Sequence, residues 1–231
     1  EKDFDVYTPS YAKINEEIIY IFKKPIFDIR KKEFINHGDY LVDFSFYYFD
    51  FIHMIDISRL NDLESLFQNR YEYHNFNHPY VISKRLINLS SYYSNRKNKI
   101  FDKKIKKLIL DRIEKDYKSL INNIEHHIDA NHLLTNYAAL SIAGKIFNRE
   151  DSFKRLYEKT FISQFSSLHY ERSTSYTKQL IYEAYIYKSI VGIDNKYMIE
   201  KIEQSLNTLS FLNDKKITWK FEDNIDEQTI E

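Results

Sequence analysis

Six times between Val81 and Leu212 the apolar residues return at intervals of three and four. That spacing puts them on one face of a helix. Residues 99–125 show it best. Ile100, Ile105, Leu108, Ile109, Ile113, Tyr117, Leu120, Ile121 and Ile124 form a stripe, and lysines fill the opposite face. The run Lys103–Lys107 therefore reads as a solvated flank and not as a binding patch. The other blocks lie at Val81–Leu89, Leu133–Ile142, Ser152–Leu168, Tyr176–Val191 and Lys196–Leu212. Short polar connections between them predict helices packed as antiparallel neighbours.

Three glycines and three prolines in 231 residues agree with this. A sandwich or an α/β fold with many tight turns needs more of both. The expected fold class is all-α, an array of helical hairpins curving into an incomplete α/α toroid. The expected boundaries are 1–40 for a small non-helical N-terminal segment, 41–213 for the helical domain and 214–231 for a linker. Within 1–40, IIYIF at 18–22 and PIFDI at 25–29 read as a short hairpin or two extended pieces. Val42–Ile57, almost wholly apolar and aromatic, reads as one buried helix, with His53 as a satisfied core histidine. Leu60–Arg70 reads as a short helix, and ITWKF at 217–221 as a strand.

Charge and cysteine content bound the partners. Thirty-four basic and 34 acidic residues give no net charge, which argues against a general nucleic-acid binder. With no cysteine there is neither a disulfide framework nor a thiolate metal site. Lack of cysteine suits a reducing cytoplasm or a periplasm, and a periplasmic or secreted protein is the favoured expectation. No apolar run reaches the length of a membrane span. The chain begins at Glu1, not Met, and reads as a fragment or a processed product. His74 and His78 are four apart, but Pro79 and the Asn-rich loop spoil the geometry of a zinc pair. No metal and no cofactor are expected.

The stretch His126–Gly144, HHIDANHLLTNYAALSIAG, joins a polar head to a clean helical run. Leu133, Leu134, Tyr137, Ala138, Leu140 and Ile142 fill the apolar face. Ala138, Ala139, Ala143 and Gly144 permit close packing. Asn131 and His132 fall at the helix start, where unpaired backbone N–H groups favour anions. Asp129 or Asn131 is alternatively a plain N-cap. In the later segment LHYERSTSY, Ser173 or Thr174 is a plausible cap for the helix that Gly192 ends.

Four stretches, in order, resemble the heparinase II/III-type polysaccharide lyase family. DFSFYYFDFIHMI (43–55) is similar to an aromatic helix near the start of the family's helical domain. HPYVISKRLINLSSYY (78–93) resembles its HPYPxSLRIxNW segment through His78, Pro79, Tyr80, Ser83, Arg85 and Asn88. ANHLLTNYAALSIAG (130–144) resembles NHLLxNxxALxxAG. HYERSTSY (169–176) resembles HFERSPxYH, with Thr174 in place of the usual Pro and Thr177 where His is common. The likeness covers about residues 40–220. In the family a C-terminal β-sandwich follows the toroid, and ITWKFEDNIDE looks like the linker leading to it.

The resemblance implies β-elimination on an acidic, uronate-containing glycan. Such lyases remove the proton α to a carboxylate and expel the 4-linked oxygen. The carboxylate must be neutralised as charge builds on it. Asn131 and His132 at a helix start suit that task as donors beside a positive dipole end. Tyr176 is by resemblance the base or acid. An ordinary tyrosine titrates near about 10, so it needs a nearby cation, and Arg172 or His169 is close in sequence. Arg85 and His78 are candidates for a second sugar's carboxylate, with Tyr80, Asn88, Glu171 and Arg172 as further substrate contacts. Each has a bland alternative. Tyr176 reads alternatively as core packing, Arg172 as a salt bridge to Glu171 or another acid, and Arg85 with His78 as an internal polar network. Two other readings stay open: a glycan-binding or capsule-assembly protein on the same fold, and a helical protein-interaction module.

Overall fold

The computed structural model describes residues 11–35, 39–67, 74–96, 102–128, 130–149 and 152–214. The described chain is mostly helical, with one small antiparallel sheet near the N-terminus. It divides into two compact units, Glu1–Asn123 and Ile124–Glu231. The expected strand at 217–221, Asp129 and the linker from residue 215 lie outside the described residues.

The first unit opens with a four-stranded meander: β1 (Ala12–Asn15), β2 (Ile18–Ile21), β3 (Lys24–Asp28) and β4 (Glu33–Phe34). The sequence suggested a hairpin at most. Two-residue turns at Glu16–Glu17 and Phe22–Lys23 carry positive φ at all four positions, the backbone twist that tight hairpins need. No glycine marks them, so the turns were hard to read. The sheet packs on α1 (Tyr40–Phe46), with Phe27 against Phe34 and Phe46. It therefore belongs to the core of the first unit.

The single buried helix expected over Val42–Ile57 is broken. After α1, Phe49 takes a left-handed φ of 61° and a 3-10 helix runs from Asp50 to Met54. The break is held from outside. The buried Asp50 carboxylate accepts from the Tyr11 hydroxyl and from Asn88 Nδ2. His53 is also not the satisfied core histidine expected. Both its ring nitrogens are buried without a hydrogen-bond partner among the described residues. The helix expected from Leu60 to Arg70 is 3-10 over Ile57–Leu63, becoming a short α2 (Glu64–Phe67).

Two long helices follow, α3 (Pro79–Arg96) and α4 (Lys103–Ile121), packed on each other. Pro79 suits the first position of α3, where the lost N–H would be unpaired anyway. Every residue from Tyr80 to Tyr92 is buried, so the more polar side expected for Arg85 and Asn88 is not a wet face. On α4, Ile105, Ile109, Ile113, Tyr117 and Leu120 are buried as the stripe predicts. Lys103, Lys104, Lys106 and Lys107 are exposed.

The second unit contains α5 (Asn131–Ile146), α6 (Ser152–Gln164), α7 (Thr174–Ile190) and α8 (Lys196–Asp214). Helix α5 packs on α6 and α7, and α8 packs on both of those. It is buried on all sides from Leu133 to Gly144, as a helix apolar all round should be. Helix α6 stops at Gln164, four residues short of expectation, because Phe165 turns to bridge His169. Gly192 follows the end of α7 with φ of 89°, a conformation that glycine adopts without strain.

Candidate functional site

The site builds from the way α5, α6 and α7 run. The end of α6 adjoins the start of α7: Gln164 Oε1 lies 3.0 Å from His169 Nε2, and the His169 N–H reaches Thr177 Oγ1 at 3.2 Å. The two helices are antiparallel, since Tyr157 well back on α6 meets Tyr187 far along α7, ring centroids 4.5 Å apart. Helices α5 and α7 pack on each other. The Thr135 hydroxyl donates to Glu183 at 2.8 Å and fixes their relative height. At about 1.5 Å per residue, Asn131 lies about 6 Å and Tyr176 about 10 Å from that contact, each toward the N-terminus of its own helix.

Asn131 is the first residue of α5, not its cap. Ala130 stands at the cap position and offers no side-chain hydrogen bond. Asn131 is only 7% exposed, and its amide makes no hydrogen bond among the described residues. Its amide atoms are not among the fully buried unpaired ones, so they reach the surface at the helix start. Beside it, His132 Nδ1 lies 3.1 Å from Glu125 Oε1. Asn136, one turn along α5, holds Glu125 through both its backbone N–H (3.0 Å) and its carboxylate (3.5 Å). The sequence reading missed Glu125. Its loop folds back onto the helix, which no periodicity announces. The i,i+4 pairing of His132 with Asn136 was the available signal.

The loop before α7 is tightly built. Ser173 Oγ accepts the Tyr176 N–H, the cap expected. Thr177 Oγ1 donates to the Ser173 carbonyl at 2.8 Å while accepting the His169 N–H. Arg172 sits between them with a left-handed φ of 56°. Tyr176 is part-buried, and Arg172 and Glu171 are exposed. Glu171 Oε2 lies 3.2 Å from His169 Nδ1, an ion pair only when the ring is protonated, and among the described residues no ion pair joins Glu171 to Arg172.

His169 cannot supply the cation that the sequence reading sought for Tyr176. Its ring is wholly buried, and burial pushes its pKa down to about 4. At neutral pH the ring carries one N–H. Donating it from Nε2 to Gln164 leaves Nδ1 to receive the Glu171 N–H at 3.5 Å. Arg172 is the cation that remains in this loop.

In the first unit the resemblance-derived contacts are largely turned inward. Arg85 is 0% exposed. Its Nε and Nη2 grip the Asp116 carboxylate at 2.7 and 2.9 Å, and its Nη groups donate to the carbonyls of Tyr47 and Phe76. That is the internal network, not an open carboxylate clamp. Buried Asn88 is committed to Tyr48 O and Asp50. His78 Nδ1 accepts the Tyr80 N–H at 3.2 Å, which caps α3, and its ring lies edge-on to Phe44. Tyr80 is buried against Tyr48. Among the described residues no group of three or more His, Asp or Glu side chains is arranged to hold a metal, and no helix is long and apolar enough to cross a membrane.

Comparison with protein-family models, with curated proteins and with solved structures gives no match to this chain.

Two predictions arise here. The first concerns acid. Burial likewise lowers the His53 pKa to about 4. The unfolded chain takes up protons near about pH 6.5, which the folded His53 and His169 refuse. Stability is therefore intact above about pH 6.5 and falls as pH drops toward 4. His53 alone should cost about 3 kcal/mol across that window, and His169 adds in the same direction. Urea midpoints measured from pH 7 to pH 4 should fall, and His53→Phe should flatten the slope. An unchanged slope in that variant would refute the assignment. The second concerns Thr177. Thr177→Val keeps the shape but orphans the buried His169 N–H. The expected loss is about 1–3 kcal/mol, with faster amide exchange at His169. Exchange at the parent rate would show that the hydroxyl does not hold this loop.

Proposed function

We propose that the chain carries the chemistry of a polysaccharide lyase that cleaves a uronate-containing acidic glycan by β-elimination, on an incomplete α/α toroid. One observation carries the reading. Asn131 and His132 open α5, Tyr176 lies in the first turn of α7, and the two helices meet at the Thr135–Glu183 hydrogen bond, four residues beyond Asn131 and seven beyond Tyr176. The four ordered motif likenesses support it further.

In this reading the Asn131 amide and the α5 N-terminus neutralise the substrate carboxylate. The donor there makes no other hydrogen bond among the described residues. Neutralisation stabilises the negative charge that grows when the α-proton leaves. Tyr176 serves as the proton-transfer group. Arg172, exposed four residues away, lowers the cost of its phenolate. Glu171, exposed just before α7, remains a candidate for a sugar contact.

The test is direct. The chain is incubated with alginate, hyaluronan, heparan sulfate and chondroitin sulfate, and the ultraviolet absorbance of the conjugated unsaturated uronate is followed. At least one substrate should give a progressive rise that depends on Tyr176. Binding without any rise would favour a glycan-binding protein, and neither binding nor rise would sink the reading.

A further inference from the structure

We propose that Glu125 is a positioning residue: it holds His132 in the tautomer protonated at Nδ1, so that Nε2 is the nitrogen presented to a ligand at the start of α5. The inference rests on the lyase reading for what that ligand is, an acidic sugar, but not for the tautomer itself.

Three observations carry it. Glu125 is 4% exposed, whereas the His132 side chain is 28% exposed. The carboxylate is thus the buried partner, and the ring is the part that a ligand can reach. Second, Glu125 Oε1 stands 3.1 Å from Nδ1. A carboxylate only accepts, so the proton in this bond belongs to the imidazole. The neutral ring has no second proton, and Nε2 keeps its lone pair. Third, Glu125 does not depend on His132 for its place. Asn136, fully buried, donates Nδ2 toward Oε2 at 3.5 Å and receives the Glu125 N–H on Oδ1 at 3.0 Å. Glu125 is anchored through its backbone N–H and one carboxylate oxygen before the histidine is considered, as the orienting partner of a working imidazole usually is.

The consequence corrects a simpler picture of His132. A neutral His132 is not a donor to the substrate carboxylate. It offers Nε2 as an acceptor for a sugar hydroxyl or another proton-bearing group. Donation from Nε2 requires the imidazolium, whose charge Glu125 would then balance at Nδ1. Asn131, not His132, is left as the neutral donor at the helix start.

Glu125→Gln separates positioning from packing. The amide is isosteric, but Asn136 Nδ2 demands an oxygen at the Oε2 position. The new NH2 group is therefore turned toward His132, which must accept at Nδ1 and move its proton to Nε2. Two-bond ¹H–¹⁵N spectra of the ¹⁵N-labelled chain read this directly, with His132→Gln used to assign the ring. In the parent, Nε2 should resonate as the lone-pair nitrogen, and in Glu125→Gln the two nitrogens should exchange character. If the chain cleaves a uronate glycan, Glu125→Gln should also lower kcat/KM by about 10- to 100-fold. His132→Gln combined with Glu125→Gln should then be no worse than His132→Gln alone. A parent His132 protonated at Nε2, or a Glu125→Gln spectrum with the parental tautomer, overturns the proposal. If the variant fails to fold, the parent spectrum still decides. Absence of any lyase activity would sink the functional reading while the spectra continue to judge Glu125.

Discussion

Tyr176→Phe should lower elimination of the uronate glycan by about 10²–10⁴-fold, the range for a general acid–base group. The substitution removes one hydroxyl. The Tyr176 N–H still meets Ser173 Oγ, so the cap of α7 survives, and the ring is only part-buried. Stability should move little. Glycan affinity should also hold, because ground-state contacts are made mostly elsewhere. Asn131→Ala should behave differently. In the proposed reaction it removes the donor to the substrate carboxylate in both ground and transition states, so both affinity and turnover should drop. Measured kcat and Kd for the two variants give the two signatures. Turnover at the parent rate in Tyr176→Phe would end the assignment, whatever the motif likeness suggests.

The largest expected effect on stability lies in the first unit, at Asp116. Its buried carboxylate takes two bonds from Arg85 and another from Arg112. Arg85 is further wedged against the Phe76 ring, 3.9 Å from its centroid. Asp116→Ala would leave two buried guanidiniums without their anion. Guanidinium does not shed its proton to escape, so the cost should be about 3–5 kcal/mol. Against a typical total of about 5–15 kcal/mol, that is enough to unfold much of the population. Arg112 makes the contrast. Its Nε and Nη1 are buried without partners among the described residues, and burial pushes its pKa down. Arg112→Leu removes a charge and two unpaired donors while Arg85 keeps its carboxylate. It should cost under about 1 kcal/mol or even stabilise. Urea denaturation of both variants decides the matter. Equal losses would mean that the three charges share one role, and an unshifted midpoint in Asp116→Ala would contradict the network altogether.

Helical content and several helix ends were legible from local signals. The three- and four-residue spacing marks α3 to α8, Pro79 starts α3, Ser173 caps α7 and Gly192 ends it. These are matters of local backbone geometry, and the residues that settle them are neighbours in the chain. The helix start at Asn131 was readable for the same reason. What only tertiary structure decided involves residues far apart. The break at Phe49 depends on Tyr11 and Asn88, each about forty positions from Asp50. Arg85 looked like a clamp until Asp116 and two carbonyls, 9 to 38 residues away, claimed its donors. Glu125 carried no signal of its own, since a loop brings it back onto α5. The neutrality of His169 follows from burial, which spacing does not reveal. Local preference fixes where a helix begins, but the partner of a buried polar group is chosen by whichever distant element packs against it, because an unpaired buried charge or dipole costs more than any local propensity contributes.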